Sequence, residues 1–598
     1  MILKALYDYY HRDENLPAPG LEEKEIGFLL VLSIEGKFMY FEDCRIDKKH
    51  ARTFLVKKHV GRSSGAMANY LYDNSAYVLG YSDKNESEDR SIKYFNTFKE
   101  KVAQISESLP ENQDINAIKR FYSQGRDAIL AEISQDSLWE DIKKSLSKKY
   151  STFSFRIKGD TKIVAEKREL LQLEQKNEER KCGEFCIVTG GYGPMVETTT
   201  SIMIPGRQAI AKLVAFQVNS GYDSYGKKKC GNAPISEEAE FAYTTALNKM
   251  LCSDSQNKFG VGNRTFVFWA SSKDDAAKQT EKCVFALLGN KIEETDDPNA
   301  NIIQARKVFE SIYTGTLKTN LDDRFYILGL APNVARIAVV YWSEIPLKDF
   351  AGKILRHFED MKIIGGRKEK KPYMGIKDML AAVTLGGKQS EVTPNLAEAP
   401  SSNCSKRRKR KQSEVTPNLA EAVVKSVFQG TPYPYTLFSA CIRRIRAECG
   451  EKGGTRIARM AILKAFLNRI NDNNKKIDIM LDKSNTNQGY LCGRLFAVLD
   501  KIQENANGIN SIRERYMNAA SSTPASVFST ILNLSAHHLE KLESKRKIYY
   551  EKIMQEIIDK IPAAGFPAHL DLQDQGRFFI GFYHQRQDFF TKKEDNNE

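Results

Sequence analysis

Apolar residues fall in short bursts along the first part of the chain and at three- and four-residue intervals along the last part. The run IGFLLVLSI, a Glu35-Gly36 turn and a second run, FMYFEDC, predict a β-hairpin over Glu25 to Cys44. From about Ser91 to Asn177 the pattern changes. Ile105, Leu109, Ile118, Phe121, Ile129, Leu130, Ile133 and Leu138 recur at roughly helical spacing amid Lys and Glu, which predicts a helical insertion. From Phe185 short β-rich runs return: CIVTG, SIMIPG, KLVAFQVNS, RTFVFWA, FYILGLA and ARIAVVYW, punctuated by Pro and Gly. The last stretch of these, Phe325 to Trp342, reads as a pair of core strands, with Arg336 a structural or interface cation. Beyond Val423 the chain reads as helix, broken at Gly450, Gly453-Gly454, Asn471 to Asn474, Ser521 to Pro524 and Pro562 to Pro567.

The expected fold is α+β: a mixed β-rich N-terminal body with a helical insertion over residues 1–375, a flexible basic linker over 376–424, and a C-terminal helical bundle over 425–598. KQSEVTPNLAEA occurs at 388–399 and again at 411–422, with SKRRKRK (Ser405 to Lys411) leading into the second copy. Two copies do not make a solenoid, and neither has the apolar residues to bury a face, so the segment reads as an inserted flexible loop, natural or engineered.

Composition narrows the class. The 598 residues, 41% hydrophobic and 28% charged, exclude both a disulfide-stapled module and a chain disordered throughout. Lys and Arg number 90 against 76 Asp and Glu, for a net charge of +14, the balance of a protein that meets polyanions. The most apolar stretches, such as Ile26 to Ile34, are far shorter than the ~18 residues a membrane span needs. MILKALYDYYHRDENL lacks the apolar region of a secretory signal, so a cytoplasmic location is expected. Cys252, Cys283, Cys441 and Cys492 lie in apolar runs, as reduced core thiols do. Cys182, Cys186 and Cys230 do not complete a convincing zinc set.

Catalytic patterns are wanting. Gly221, Gly226 and Lys227 approach a phosphate-binding loop, but Lys228 stands where Ser or Thr must hold magnesium, which excludes a nucleotide triphosphatase there. The glycines of TGGYGP run into Pro194 and fail the dinucleotide pattern. The eight histidines form no HExxH, and His537-His538 reads as half-buried helix packing. No catalytic residue, metal or cofactor is therefore expected, and the chain is not read as an enzyme.

Polyanion-binding patterns are present. Lys57, Lys58, Arg62, Ser63 and Ser64 bring cations, hydroxyls and glycines into one short loop suited to phosphates, and Asn69 and Asn74 follow as amides able to meet base edges. The turn from Tyr225 through Lys227 and Lys228 to Asn232 combines lysines with aromatic backing. Between Arg443 and Lys476 ten cations, Arg443, Arg444, Arg446, Arg456 and Arg459 among them, face only Glu448, Glu451 and Asp472, which suggests a phosphate-facing groove.

The runs RSSGAMANYLYDNSAYVLG (62–80), FQVNSGYDSYGKKKCGNAPIS (216–236), AYTTALNKML (242–251), FYILGLAPNVARIAVVYW (325–342), TPYPYTLFSACIRRIRAE (431–448) and GFYHQRQDFF (581–590) resemble the large subunit of the subtype I-C CRISPR Cascade surveillance complex. Residues 91–177 and 388–422 carry no part of the likeness. The resemblance implies a non-catalytic subunit of RNA-guided antiviral defence that recognises the protospacer-adjacent motif in double-stranded DNA, helps open the duplex, stabilises the R-loop and recruits the helicase-nuclease. The implied partners are the guide crRNA, target duplex and displaced single strand, together with backbone, guide-processing and small subunits of the complex. It also implies a small-subunit-like part from about 480, where Met480 is a candidate internal start. A guide-RNA endonuclease and a general nucleic-acid-binding protein remain as alternatives.

Overall fold

The computed structural model describes the chain apart from residues 48–49, 61–64, 83–87, 149, 174–182, 207–210, 217–225, 253–254, 262–263, 289–299, 334–335, 366–374, 385–416, 450–455, 471–475, 510 and 591–598. The elements begin with α1 (Ile2–Arg12), β1 (Leu21–Glu25), β2 (Phe28–Leu32), β3 (Phe38–Asp43), β4 (Thr53–Lys57), β5 (Tyr72–Asn74) and α2 (Ser75–Val78). Next come α3 (Glu88–Ser108), α4 (Gln113–Ser123), α5 (Arg126–Ile133), α6 (Trp139–Ser145), β6 (Thr152–Ile157), α7 (Arg168–Leu171), β7 (Glu184–Phe185), β8 (Tyr192–Gly193) and α8 (Glu237–Leu251). They continue as β9 (Lys258–Val261), β10 (Arg264–Ala270), α9 (Asp275–Leu287), α10 (Ala300–Thr314), β11 (Arg324–Asn333), β12 (Arg336–Pro346), α11 (Leu347–Met361) and α12 (Ile376–Ala381). Helices close the chain: α13 (Pro417–Phe428), α14 (Tyr435–Ala447), α15 (Ile457–Ile470), α16 (Gln488–Asn507), α17 (Ser511–Ala520), α18 (Pro524–Leu539), α19 (Ser544–Ile558) and α20 (Leu572–Asp588). The expected mixed α+β architecture ending in packed helices is what the structure has.

Contacts divide the chain into two compact units: one holds 13–197 and 230–245, the other 1–12, 198–229 and 246–598. This division falls elsewhere than the boundaries read from composition near 375 and 425, because the sheet β9–β12 and the C-terminal helices share one hydrophobic core.

In the first unit a four-stranded sheet runs β3-β2-β6-β5. The predicted hairpin is β2 and β3, antiparallel. All five residues of β2 are buried, and its other edge pairs in parallel with β6, which is why FLLVL is uniformly apolar rather than alternating. The stretch read as helical to Asn177 needs correcting at Thr152–Ile157, which is strand β6. Phe153 and Phe155 pack with Phe98, Val102, Ile118 and Phe121 of α3 and α4 in a single core, so burial on a sheet outweighs the helical surroundings in sequence.

In the second unit β9 to β12 form an antiparallel sheet, and Phe325 to Trp342 supplies the strand pair expected of it. SIMIPG is not a strand, and the described part of KLVAFQVNS makes only the bridge Lys212↔Arg336. Cys283, Cys441 and Cys492 are buried thiols as expected, but Cys252, past the last turn of α8, is exposed. The N-terminal helix α1 docks here through buried Leu6 and through Arg12, which donates to the carbonyl oxygen of Ala270 at 2.6 Å. The second copy of the duplicated segment also departs from expectation: its PNLAEA opens α13, with Leu419 and Ala420 buried and Glu421 paired to Arg264. The apolar VVKSVF that follows it supplies the face which the repeat lacks. The first copy lies outside the described residues.

Helices α16 and α20 cross at backbone contact. A side chain at Gly493 would collide with the Phe578 carbonyl, and one at Gly581 with that of Tyr490. Beside this crossing His584 is buried, its Nδ1 3.0 Å from the Tyr490 hydroxyl. Burial, and then the Lys464 charge, lower its pKa to about 3. The unfolded chain, titrating near the usual ~6.5, therefore takes up this proton first as pH falls. The neutral ring's contribution is complete above that value and declines toward pH 3. The urea midpoint should fall between pH 7 and pH 5, and His584→Gln should make that fall shallower.

Candidate nucleic-acid interface

Lys57 ends β4 in the first unit, only 7% exposed, and its Nζ lies 4.8 Å from the centre of the Tyr70 ring. Burial, then repulsion from Lys101, lowers its pKa below the ordinary lysine value. Lys101, on α3, holds its own Nζ 4.3 Å from the same ring. Lys58 points to Glu240 at 3.9 Å and over the Phe241 ring. The backbone around them is clamped. The Tyr72 hydroxyl donates to the Lys57 carbonyl at 2.7 Å, the Asn69 side-chain oxygen accepts from Val60 N–H at 2.9 Å, and Asn69 N–H donates to Asp73 at 3.0 Å. Leu71 within this segment has a φ of 58°, a left-handed conformation costly for a branched residue.

The two asparagines thus differ. Asn69 is 8% exposed and its oxygen ties both ends of the 60–69 loop together, a structural job that leaves it poorly placed for a base edge. Asn74 is exposed and caps α2, accepting from Ala76 and Tyr77 N–H groups. Arg62, Ser63, Ser64 and Tyr225 lie outside the described residues. Lys227, Lys228 and Asn232 are exposed, the last in a short 3₁₀ turn over Lys229–Asn232.

The basic run after Arg443 is not one surface. Arg443 is exposed, and Arg444 and Arg456 are half-buried, Arg444 donating to the Val383 carbonyl at 3.0 Å. Arg446 is half-buried, and burial lowers its pKa. Arg459 corrects the expectation of a phosphate contact. It has no exposed surface, pairs with Glu448 through two hydrogen bonds of 3.0 Å, and donates to the Ala382 carbonyl at 2.7 Å. Lys464 and Arg469 are buried too, the latter on Asp360 at 2.6 Å. Helix α15 is enclosed on nearly all sides, so its cations serve the interior.

Among the described residues no three His, Cys, Asp or Glu side chains gather as a metal site. The Cys186 sulfur accepts from Ser236 N–H at 3.3 Å and sits 3.4 Å from the Ser236 hydroxyl. Burial acts to raise its pKa, but the hydrogen bonds from Ser236 and Thr189 outweigh that and bring it down to about 7. Cys230 instead donates to the Ala233 carbonyl. Nor is any helix among the described residues long and apolar enough to cross a membrane.

The sequence profile of a family described as CRISPR-associated protein (Cas_Csd1) matches residues 5–590. The chain belongs to this family. It is that of the large subunit of type I-C Cascade, and the match runs through both units and through residues 91–177, which carried no recognisable motif. No curated protein matches the chain significantly.

Sequence reading passed over Tyr70 and Lys101. Tyr70 stood in a quoted run beside the chosen asparagines, an available signal. Nothing local marked Lys101, because its closeness to β4 depends on how α3 packs. For Arg459 the structure gives a definite expectation. Arg459→Met should lower stability by about 3–5 kcal/mol by stranding buried Glu448, read as a drop in melting temperature, and leave the salt dependence of nucleic-acid binding as it was. Exposed Arg443→Gln should do the reverse.

Proposed function

We propose that this member of the Cas_Csd1 family acts as the non-catalytic large subunit of an RNA-guided interference complex, recognising the protospacer-adjacent motif in target double-stranded DNA. The observation that carries this reading is the family match over nearly the whole chain. A net charge of +14, the Lys57 ammonium beside Tyr70 and the exposed Asn74 support it. In this reading Lys57, Lys58, Arg62, Ser63 and Ser64 contact the DNA backbone and Asn74 approaches base edges. Lys227, Lys228 and Asn232 are second candidates for motif and phosphate contact, and Arg443, Arg444, Arg446 and Arg456 hold single strand or heteroduplex without sequence preference. Guide crRNA pairing reads the remaining sequence, and the subunit helps open the duplex, stabilises the R-loop and recruits the helicase-nuclease beside the backbone, guide-processing and small subunits.

The guide-loaded complex should bind a target duplex only with this chain present, and changing the adjacent motif alone should weaken binding by about tenfold or more, ~1.4 kcal/mol. Equal affinity for both duplexes would make the chain a basic clamp and move motif reading elsewhere.

Met480, 59% exposed ahead of α16, is the proposed start of a separate C-terminal product containing α16 to α20. Met480→Leu should abolish a short C-terminal band on an immunoblot; an unchanged band would remove Met480 as the start.

A further inference from the structure

Two lysine ammonium groups share the Tyr70 ring, Lys57 at 4.8 Å and Lys101 at 4.3 Å from its centre. Neither forms an ion pair with a carboxylate of any described residue. Their environment is already costly: Lys57 is buried to 7% exposure, and the two like charges lie close enough for Lys101 to disfavour the charged form of Lys57. The ring quadrupole offsets only part of this.

The segment bearing Tyr70 is held in place at further cost. Leu71 takes a left-handed φ of 58°, a conformation that is costly for a non-glycine residue. It is kept there by Ser154, whose hydroxyl donates to the Leu71 carbonyl at 2.8 Å, and by the Asn69–Asp73 hydrogen bond on either side. The strain and the unmatched charge meet at one place, all within the unit of residues 13–197 and 230–245.

We infer that Lys57 and Lys101, set against Tyr70, form a seat for one phosphodiester group of a nucleic-acid backbone. The inference rests on the nucleic-acid reading above and adds Lys101 and Tyr70 to it. A phosphodiester carries a single negative charge on two unesterified oxygens, so one group can face both ammoniums and remove their mutual repulsion. Lysine heads, with three rotatable donors each, suit such a contact without demanding a fixed approach geometry. With both cations directed to the backbone, the seat reads no base and sets position only.

The test is titration of a short labelled DNA duplex with the full-length chain over a series of KCl concentrations. Lys101→Gln should weaken binding by about fivefold and reduce the slope of log affinity against log salt by about one. Lys57→Met should act alike, and Lys93→Gln, on an exposed part of the same helix, should change neither quantity. Loss of one like charge should leave the melting temperature of Lys101→Gln at or above that of the parent chain. Parent-like affinity and slope in Lys101→Gln, in a chain that does bind duplex, would overturn the seat and leave the proposed function standing. An equal loss from Lys93→Gln, or a lowered melting temperature in Lys101→Gln, would also overturn it. A parent chain that binds no duplex, alone or in its complex, would overturn the seat and the proposed function together.

Discussion

A buried guanidinium stays charged only if its partners replace the water it has lost, and the helical part of this protein is built around three such groups among the described residues. Arg459 of α15 reaches Glu448 beyond the end of α14 and the carbonyl of Ala382 beyond α12. Arg469 joins Asp360 of α11 to the carbonyls of Ser426 and Thr431. Arg494 of α16 meets Glu556 of α19 and Gln585 of α20. Apolar burial supplies the main drive for packing these helices but has no direction, whereas each of these pairs specifies which helix faces which.

That requirement changes what the positive charge of the chain means. Several of the 90 cations pair with acids inside the fold, cancel in the net charge of +14 and offer nothing to a polyanion. Arg443 on the surface of α14 and Lys227 and Lys228 at their turn are exposed instead. Lys57 stands out because it is nearly as buried as the structural arginines and yet has a second lysine, not an acid, for its closest charged neighbour on the ring.

Backbone geometry carries the same division between structure and binding. The asparagines after Lys57 were equivalent as amides in the sequence, yet Asn69 closes a loop while Asn74 caps a helix with its side chain exposed. Tyr72, between them in sequence and buried, holds the Lys57 carbonyl from inside. Of these three residues Asn69 and Tyr72 hold the loop, and Asn74 is the exposed one.

Local pattern in the sequence was enough for the β2–β3 hairpin and for the paired strands β11 and β12, each recorded within one run of residues, and six runs spread along the chain carried the family likeness. Of the predicted helix breaks, those at 521–524 and 562–567 lead into α18 and α20, and those at 450, 453–454 and 471–474 lie outside the described residues. Tertiary structure alone decided the rest. Residues 152–157 became a strand because a sheet edge beside β2 was open to them, and PNLAEA became part of a helix where VVKSVF followed it. The cations of α15 turned inward because that helix is enclosed, and Lys101 met Lys57 because α3 packs near the end of β4. Periodicity reports which face of an element is apolar, but whether a charge ends in water, on an acid or beside another charge depends on elements far away in sequence.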